Sequence, residues 1–165
     1  MLGQSTQSQM ILHLEWSRPI QLRDATKEKL IYSVDLAKVP NGPGVYIFGR
    51  RFGSHFEALY VGKATRIRGR VKGHFNNLRL MQHLRSAKIG KRVLLAGVFQ
   101  GRPGQKLPKS LTLAERAFIR YFLLEGHDLV NKLGTRIRRH ELISDGQHPK
   151  RFFPRVVYTE KAKGE

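Results

Sequence analysis

Residues 44–63 read GVYIFGRRFGSHFEALYVGK. Two short apolar runs, GVYIFGR at 44–50 and ALYVGK at 58–63, each carry a tyrosine close to a glycine, and mostly polar, basic and glycine residues lie between them. Both runs are rich in β-branched and aromatic residues and are bounded by glycine, which predicts two strands. The short loop between them predicts an antiparallel hairpin. Strand side chains alternate, so Val45 and Ile47 face one way and Tyr46 and Phe48 the other, while Leu59 and Val61 oppose Tyr60. Tyr46 and Tyr60 then share one face of the hairpin. Gly44 and Gly62 are expected to leave the backbone open there to the close approach of a ligand.

Outward from the hairpin, VPNGPG at 39–44 is a turn signal, and MILHLEW at 10–16 alternates as a strand does. TRIRGRVKGHF at 65–75 predicts a helix capped by Thr65, with Ile67, Val71 and Phe75 at steps of four. A second, vaguer helical stretch covers 77–90. KRVLLAGVFQ at 91–100 predicts a third strand, apolar enough to be central, and GRPGQKLPKS at 101–110 a loop. TLAERAFIRYFLLEG at 112–126 predicts the clearest helix, with Thr112 as N-cap, Glu115 closing a capping box and Gly126 as the stop. Its apolar stripe is read as Ala114, Ala117, Phe118, Tyr121 and Phe122. RVVYT at 155–159 is a further strand candidate. The element order predicts an α/β sandwich with a small, mostly antiparallel sheet flanked by helices. A core at 40–133 is expected between an N-terminal extension, 1–39, with a possible strand and a basic C-terminal extension, 134–165.

The chain has 165 residues, with 31 Lys and Arg against 12 Asp and Glu, a formal charge of +19. Such an excess favours a polyanionic partner, nucleic acid first, because each neutralised phosphate releases a counterion. A membrane surface is set aside, since no strongly amphipathic basic helix with a clean apolar face is evident. The absence of cysteine removes disulfides, thiolate zinc sites and cysteine nucleophiles, and fits a cytoplasmic location. The polar start, MLGQSTQSQM, has no signal-peptide core.

Lys63 follows the second strand directly, and Arg66, Arg70 and His74 follow at single-turn steps on the helix. Two phenols, lysine, arginine and histidine on one concave surface suit a phosphodiester: cations neutralise its charge, and a phenol or imidazole moves a proton. The bland readings are packing tyrosines, a solvated basic helix face and a helix-capping Glu115. The remaining histidines, at 13, 55, 83, 127, 140 and 148, show no paired metal spacing.

The pattern GVY…YVGKATRIRGRVKGHF, followed by AERAFI and Asn131, resembles the GIY-YIG nuclease family over residues 40–133. The resemblance implies a three-stranded or slightly larger antiparallel sheet and a divalent-metal-dependent endonuclease that hydrolyses phosphodiester bonds in DNA, double-stranded DNA foremost. It implies roles residue by residue. Tyr46 would activate the water nucleophile, and Tyr60 would lie against the scissile phosphate. Gly62 would allow close backbone approach, beside Lys63. Arg70 would stabilise phosphate charge, and His74 stands where some members carry a tyrosine. Glu115 would hold Mg²⁺, with Mn²⁺ able to substitute, and Asn131 would close the site. Both motif tripeptides carry valine, Val45 and Val61, where the family name has isoleucine. Lys63, Arg70 and the metal are expected to favour a Tyr46 phenolate. Arg66, Arg68, Lys72, Arg136, Arg138, Arg139, Lys150 and Arg151 would grip the DNA backbone. The alternative is a nucleic-acid-binding module on the same fold without the chemistry.

Overall fold

The chain builds an antiparallel sheet with helices on both of its faces. The computed structural model describes residues 11–130, 140–147 and 155–159. Along the chain, β1 (His13–Trp16), β2 (Ile20–Gln21), β3 (Arg23–Asp24) and β4 (Tyr32–Ser33) precede β5 (Gly44–Phe52) and β6 (His55–Ala64). Helices α1 (Ile67–His74) and α2 (Leu78–Ser86) lead to β7 (Lys91–Gln100) and α3 (Leu107–Leu124). Then come β8 (His140–Ile143) and β9 (Val156–Thr159), an antiparallel pair whose β9 lies against α3. Among the described residues no helix is long and apolar enough to cross a membrane.

The hairpin is longer than the apolar runs suggest. Strands β5 and β6 pair from Gly44↔Ala64 to Phe52↔His55, so most of the stretch read as a loop is strand, and the turn is only Gly53 and Ser54. Gly53 sits at φ +59°, where a β-carbon is costly. Arg50, the last residue of the first apolar run, can be buried because its charge is paired. It is 6% exposed, its Nε is 3.1 Å from the Glu57 carboxylate, its Nη1 donates to the Ile89 carbonyl at 2.7 Å, and it stacks over Phe52.

Strand β5 lies between β6 and β7, and β6 is an edge strand. Tyr46 stands opposite Gly62, and Phe48 opposite Tyr60. These rings share a face, as the alternation predicts, and pack with Ile67 and Val71 of α1 and Leu80, Met81 and Leu84 of α2. Val45, Ile47 and Val61 pack on the other face against Ala114, Ile119, Phe122 and Leu123 of α3. A shift of register between Phe48 and Gly49 adds one residue to β6. That bulge puts Leu59 into the same cluster as Tyr60, not with Val61 as expected.

Residues 11–39, read as an extension, extend the sheet from three strands to five. Strands β1 and β2 run in succession along β7, and Ser17 and Leu22 continue the ladder through the carbonyls of Ala96 and Arg92. Ile20, Leu22, Val34 and Val39 enter the main core.

Helix boundaries shift where caps compete. Arg66, not Thr65, is the N-cap of α1, without a side-chain cap bond. Asn77 caps α2 by accepting from the Leu80 amide. Helix α3 begins at Leu107, five residues before the expected start, with Pro108 in its first turn, where a missing amide hydrogen costs nothing. Thr112 is therefore interior and donates to the Pro108 carbonyl at 3.0 Å, and Glu115 closes no capping box. The buried stripe runs through Leu111, Ala114, Ile119, Phe122 and Leu123 with Phe118 half-buried beside it, whereas Ala117 and Tyr121 are exposed. Gly126 ends the helix at φ +83°, its amide bonded to the Leu123 carbonyl.

Candidate active site

Alternation on the hairpin and one turn of α1 bring Tyr46, Tyr60 and His74 together under the sheet edge. Tyr46 is fully buried, and Tyr60 and His74 nearly so. The Tyr46 hydroxyl oxygen lies 2.5 Å from His74 Nε2. The His74 ring centroid is 5.1 Å from that of Tyr60 and 5.5 Å from that of Tyr46. Gly62 has a different purpose from the one expected: a β-carbon there would collide with the Tyr46 phenol, so the open backbone accommodates the protein's own tyrosine. The equivalent space at Gly44 is closed by the Gly97 carbonyl.

Burial sets the protonation of this cluster. It pushes the Tyr46 hydroxyl far above the ordinary phenol value, with Tyr60 adding to the rise and Arg70 opposing it. Tyr60 is raised as well, again by burial first. The expected cation-stabilised phenolate is therefore not the state of the free protein. His74 is pushed down to about 4 by burial, with the Arg70 charge acting the same way. At neutral pH the pair is a protonated phenol against a neutral imidazole.

A stability prediction follows from His74. Its folded value is depressed, so between pH 6.5 and about 4 the unfolded chain holds a proton that the folded chain refuses, and stability falls as pH falls through that window. The loss between pH 7 and pH 5 should be on the order of 2 kcal/mol. Denaturant titrations at the two pH values should show the parent losing more stability than His74→Gln, which cannot titrate. Equal losses would mean that His74 is accessible to protons in the fold.

Charged groups gather around this buried cluster. Arg70 is exposed on α1, yet its charge acts on Tyr46, Tyr60 and His74 alike. Lys63, Arg66 and Arg70 line an open hollow with Ala64, Thr65 and Gly69. From the other face of the sheet, Lys63 Nζ donates to Thr112 Oγ1 at 2.6 Å, which ties β6 to α3. Glu115, one turn further along α3, is half-buried. Burial raises its carboxyl above the usual range, against the pull of Lys63 and Arg116, and its charge reaches Tyr60. Because β6 is the edge strand, groups from both faces meet around it.

Other sequence candidates fall differently. Arg68 commits its Nε to the Val39 carbonyl at 2.8 Å and ties α1 to the chain before β5. Lys72 is exposed on α1. Asn131, Arg136, Arg138, Arg139, Lys150 and Arg151 lie outside the described residues. Two histidines left unassigned by sequence hold the segment after α3. His127 Nδ1 accepts from the Ala58 amide at 2.8 Å, and His83 Nε2 lies 3.0 Å from the Asp128 carbonyl. Only long-range pairing defines these contacts, so no local spacing could have disclosed them.

Among the described residues no three His, Asp or Glu side chains form a metal cage. Glu115 is a half-buried carboxylate close to Lys63, one of the cations that line the hollow. Such a donor does not fit a tightly caged metal. It fits a hard divalent cation that keeps most of its waters and shares oxygens with a bound phosphate. Compared with protein-family models, with curated proteins and with solved structures, the chain matches none.

Proposed function

We propose that the protein is a divalent-metal-dependent DNA endonuclease of the GIY-YIG kind, hydrolysing phosphodiester bonds at the edge of β6. The observation that carries this reading is the 2.5 Å contact between the buried Tyr46 hydroxyl and His74 Nε2, with Arg70 and Glu115 acting electrostatically on the neighbouring Tyr60. A packing tyrosine needs no imidazole at its hydroxyl and no surrounding set of cations and carboxylate.

The chemistry follows from these groups. Water adds to phosphorus, one P–O ester bond breaks, and the water proton must leave. Tyr46 takes that proton as His74 Nε2 takes the phenolic one, so the phenolate that burial disfavours never accumulates. Tyr60 and Arg70 face the phosphate, and Arg70 stabilises the charge that develops on it. Lys63 and Arg66 hold the substrate backbone in the hollow at the start of α1. Glu115 would hold Mg²⁺, which supplies charge neutralisation at the leaving oxygen when bound.

The test is supercoiled plasmid incubated with the protein. In Mg²⁺ it should become nicked and then linear, and a chelator should stop the conversion. Binding without any conversion would leave a nucleic-acid-binding module and remove the enzyme.

A further inference from the structure

Helix α3 carries a second charged feature, of which Arg116 alone also acts on Glu115 at the site. Lys106, Lys109, Leu113, Arg116 and Arg120 are all exposed, and they follow one another at steps of four, three and four residues after the first step of three. At 3.6 residues per turn the last four keep to one ridge of the helix, with the N-cap Lys106 at its start, across the helix from the buried Leu111, Ala114 and Phe122. The ridge spans about 21 Å. Glu115 is the sole carboxylate within α3, and it faces the site. Among the described residues the ion pairs are Arg50–Glu57 and Arg155–Asp145, and neither involves this helix.

The placement of two of these cations opposes helix stability. The first turn of α3 holds no acidic residue, its N-cap is Lys106 with no side-chain cap bond, and Lys109 follows within that turn. A helix N-terminus is the positive end of the dipole, where cations are unfavourable by roughly 0.3–1 kcal/mol each. Their mutual repulsion adds to this. A bound polyanion reverses both terms, since the helix end and the lysines then attract the same charge.

We propose that this ridge is a second nucleic-acid surface, which takes backbone phosphates flanking the cut. The inference rests on the nuclease reading for its choice of duplex DNA. About 21 Å of duplex axis carries about six phosphates on each strand, enough for the four cations of the ridge. Thr112, on the shoulder of the ridge, receives the Lys63 hydrogen bond and so joins this surface to the hollow at β6. An acidic protein groove would also meet these cations, but it would not share the phosphate chemistry of the adjoining hollow.

The experiment compares three proteins on a duplex of about 30 base pairs, with binding measured over a series of salt concentrations. The ridge variant is Lys106→Gln, Lys109→Gln and Arg120→Gln. The control variant, Arg23→Gln, Lys27→Gln and Lys38→Gln, removes equal charge from exposed positions elsewhere. Glutamine matches lysine and arginine in helix propensity, so α3 should persist, which circular dichroism checks. For the ridge variant the slope of log K against log salt should become shallower by about two to three, at close to 0.9 per lost phosphate contact. The control should change it by less than one. Cutting by the ridge variant at saturating protein should match the parent. A ridge variant whose slope equals that of the parent, or changes no more than the control, overturns the proposal, and an acidic protein partner would give that result. A parent that binds but never cuts ends the nuclease reading while the slopes still decide the ridge. A parent that does not bind DNA ends both.

Discussion

Glu115→Gln should leave a protein that folds and binds DNA as the parent does but cuts it slower by orders of magnitude. The sequence gives Glu115 two readings, helix cap or metal ligand, and the early start of α3 removes the first. At an interior helical position glutamine and glutamate have nearly equal propensity, so the exchange is isosteric and nearly neutral for the helix. Burial already disfavours the Glu115 charge, so the amide does not strain the fold. What the exchange removes is the anionic oxygen that a hard divalent cation requires. Melting temperature, duplex affinity and Mg²⁺-dependent cleavage of plasmid should be measured on the same preparation. Parent-like cleavage by the glutamine variant would sink the metal assignment. A large fall in melting temperature would instead return Glu115 to a structural role.

Arg70→Ala should separate binding from catalysis. Arg70 is exposed, and alanine is a better helix former, so α1 should not suffer. The residue is one of 31 Lys and Arg side chains, so its share of long-range attraction to DNA is small. Its charge nevertheless reaches both buried tyrosines and His74. Removing a group placed to stabilise transition-state charge costs about 3 kcal/mol, or roughly a hundredfold in rate. Single-turnover cleavage should fall by at least that factor while the dissociation constant moves less than threefold. Cleavage within a few-fold of the parent would make Arg70 an ordinary surface arginine.

The parts of this architecture that were legible in the sequence are those set by local periodicity. Alternation placed Tyr46 and Phe48 on one face and Val45 and Ile47 on the other, and the structure keeps that division. Strand β7 was readable end to end, because KRVLLAGVFQ is apolar throughout its middle and bounded by polar residues. Failures arose where a distant partner overrides local chemistry. Glu57 looked like loop because its stabilising partner, Arg50, lies across the hairpin and no local pattern reports it. Leu59 changed cluster because a bulge is invisible to a period of two. Thr112 looked like a cap, but Pro108 provides an earlier helix start. Gly62 looked like an opening for a ligand, and only cross-strand register shows that the Tyr46 ring fills it. At the site, residue types were readable while their protonation was not, because burial outweighs the nearby cations.

Under the proposed function Tyr46 acts in chemistry and is more than a packed ring. Tyr46→Phe tests it most directly, since it keeps the ring against Gly62, Phe48 and His74 and deletes only the oxygen that lies 2.5 Å from His74 Nε2. Loss of one buried hydroxyl should change stability by about 1 kcal/mol. The measurement is the single-turnover rate of duplex cleavage in Mg²⁺ at saturating protein. The variant should fold and bind DNA, with a rate lower by roughly a hundredfold or more. A phenylalanine variant that cleaves at the parent rate would contradict that role and return Tyr46 to the core.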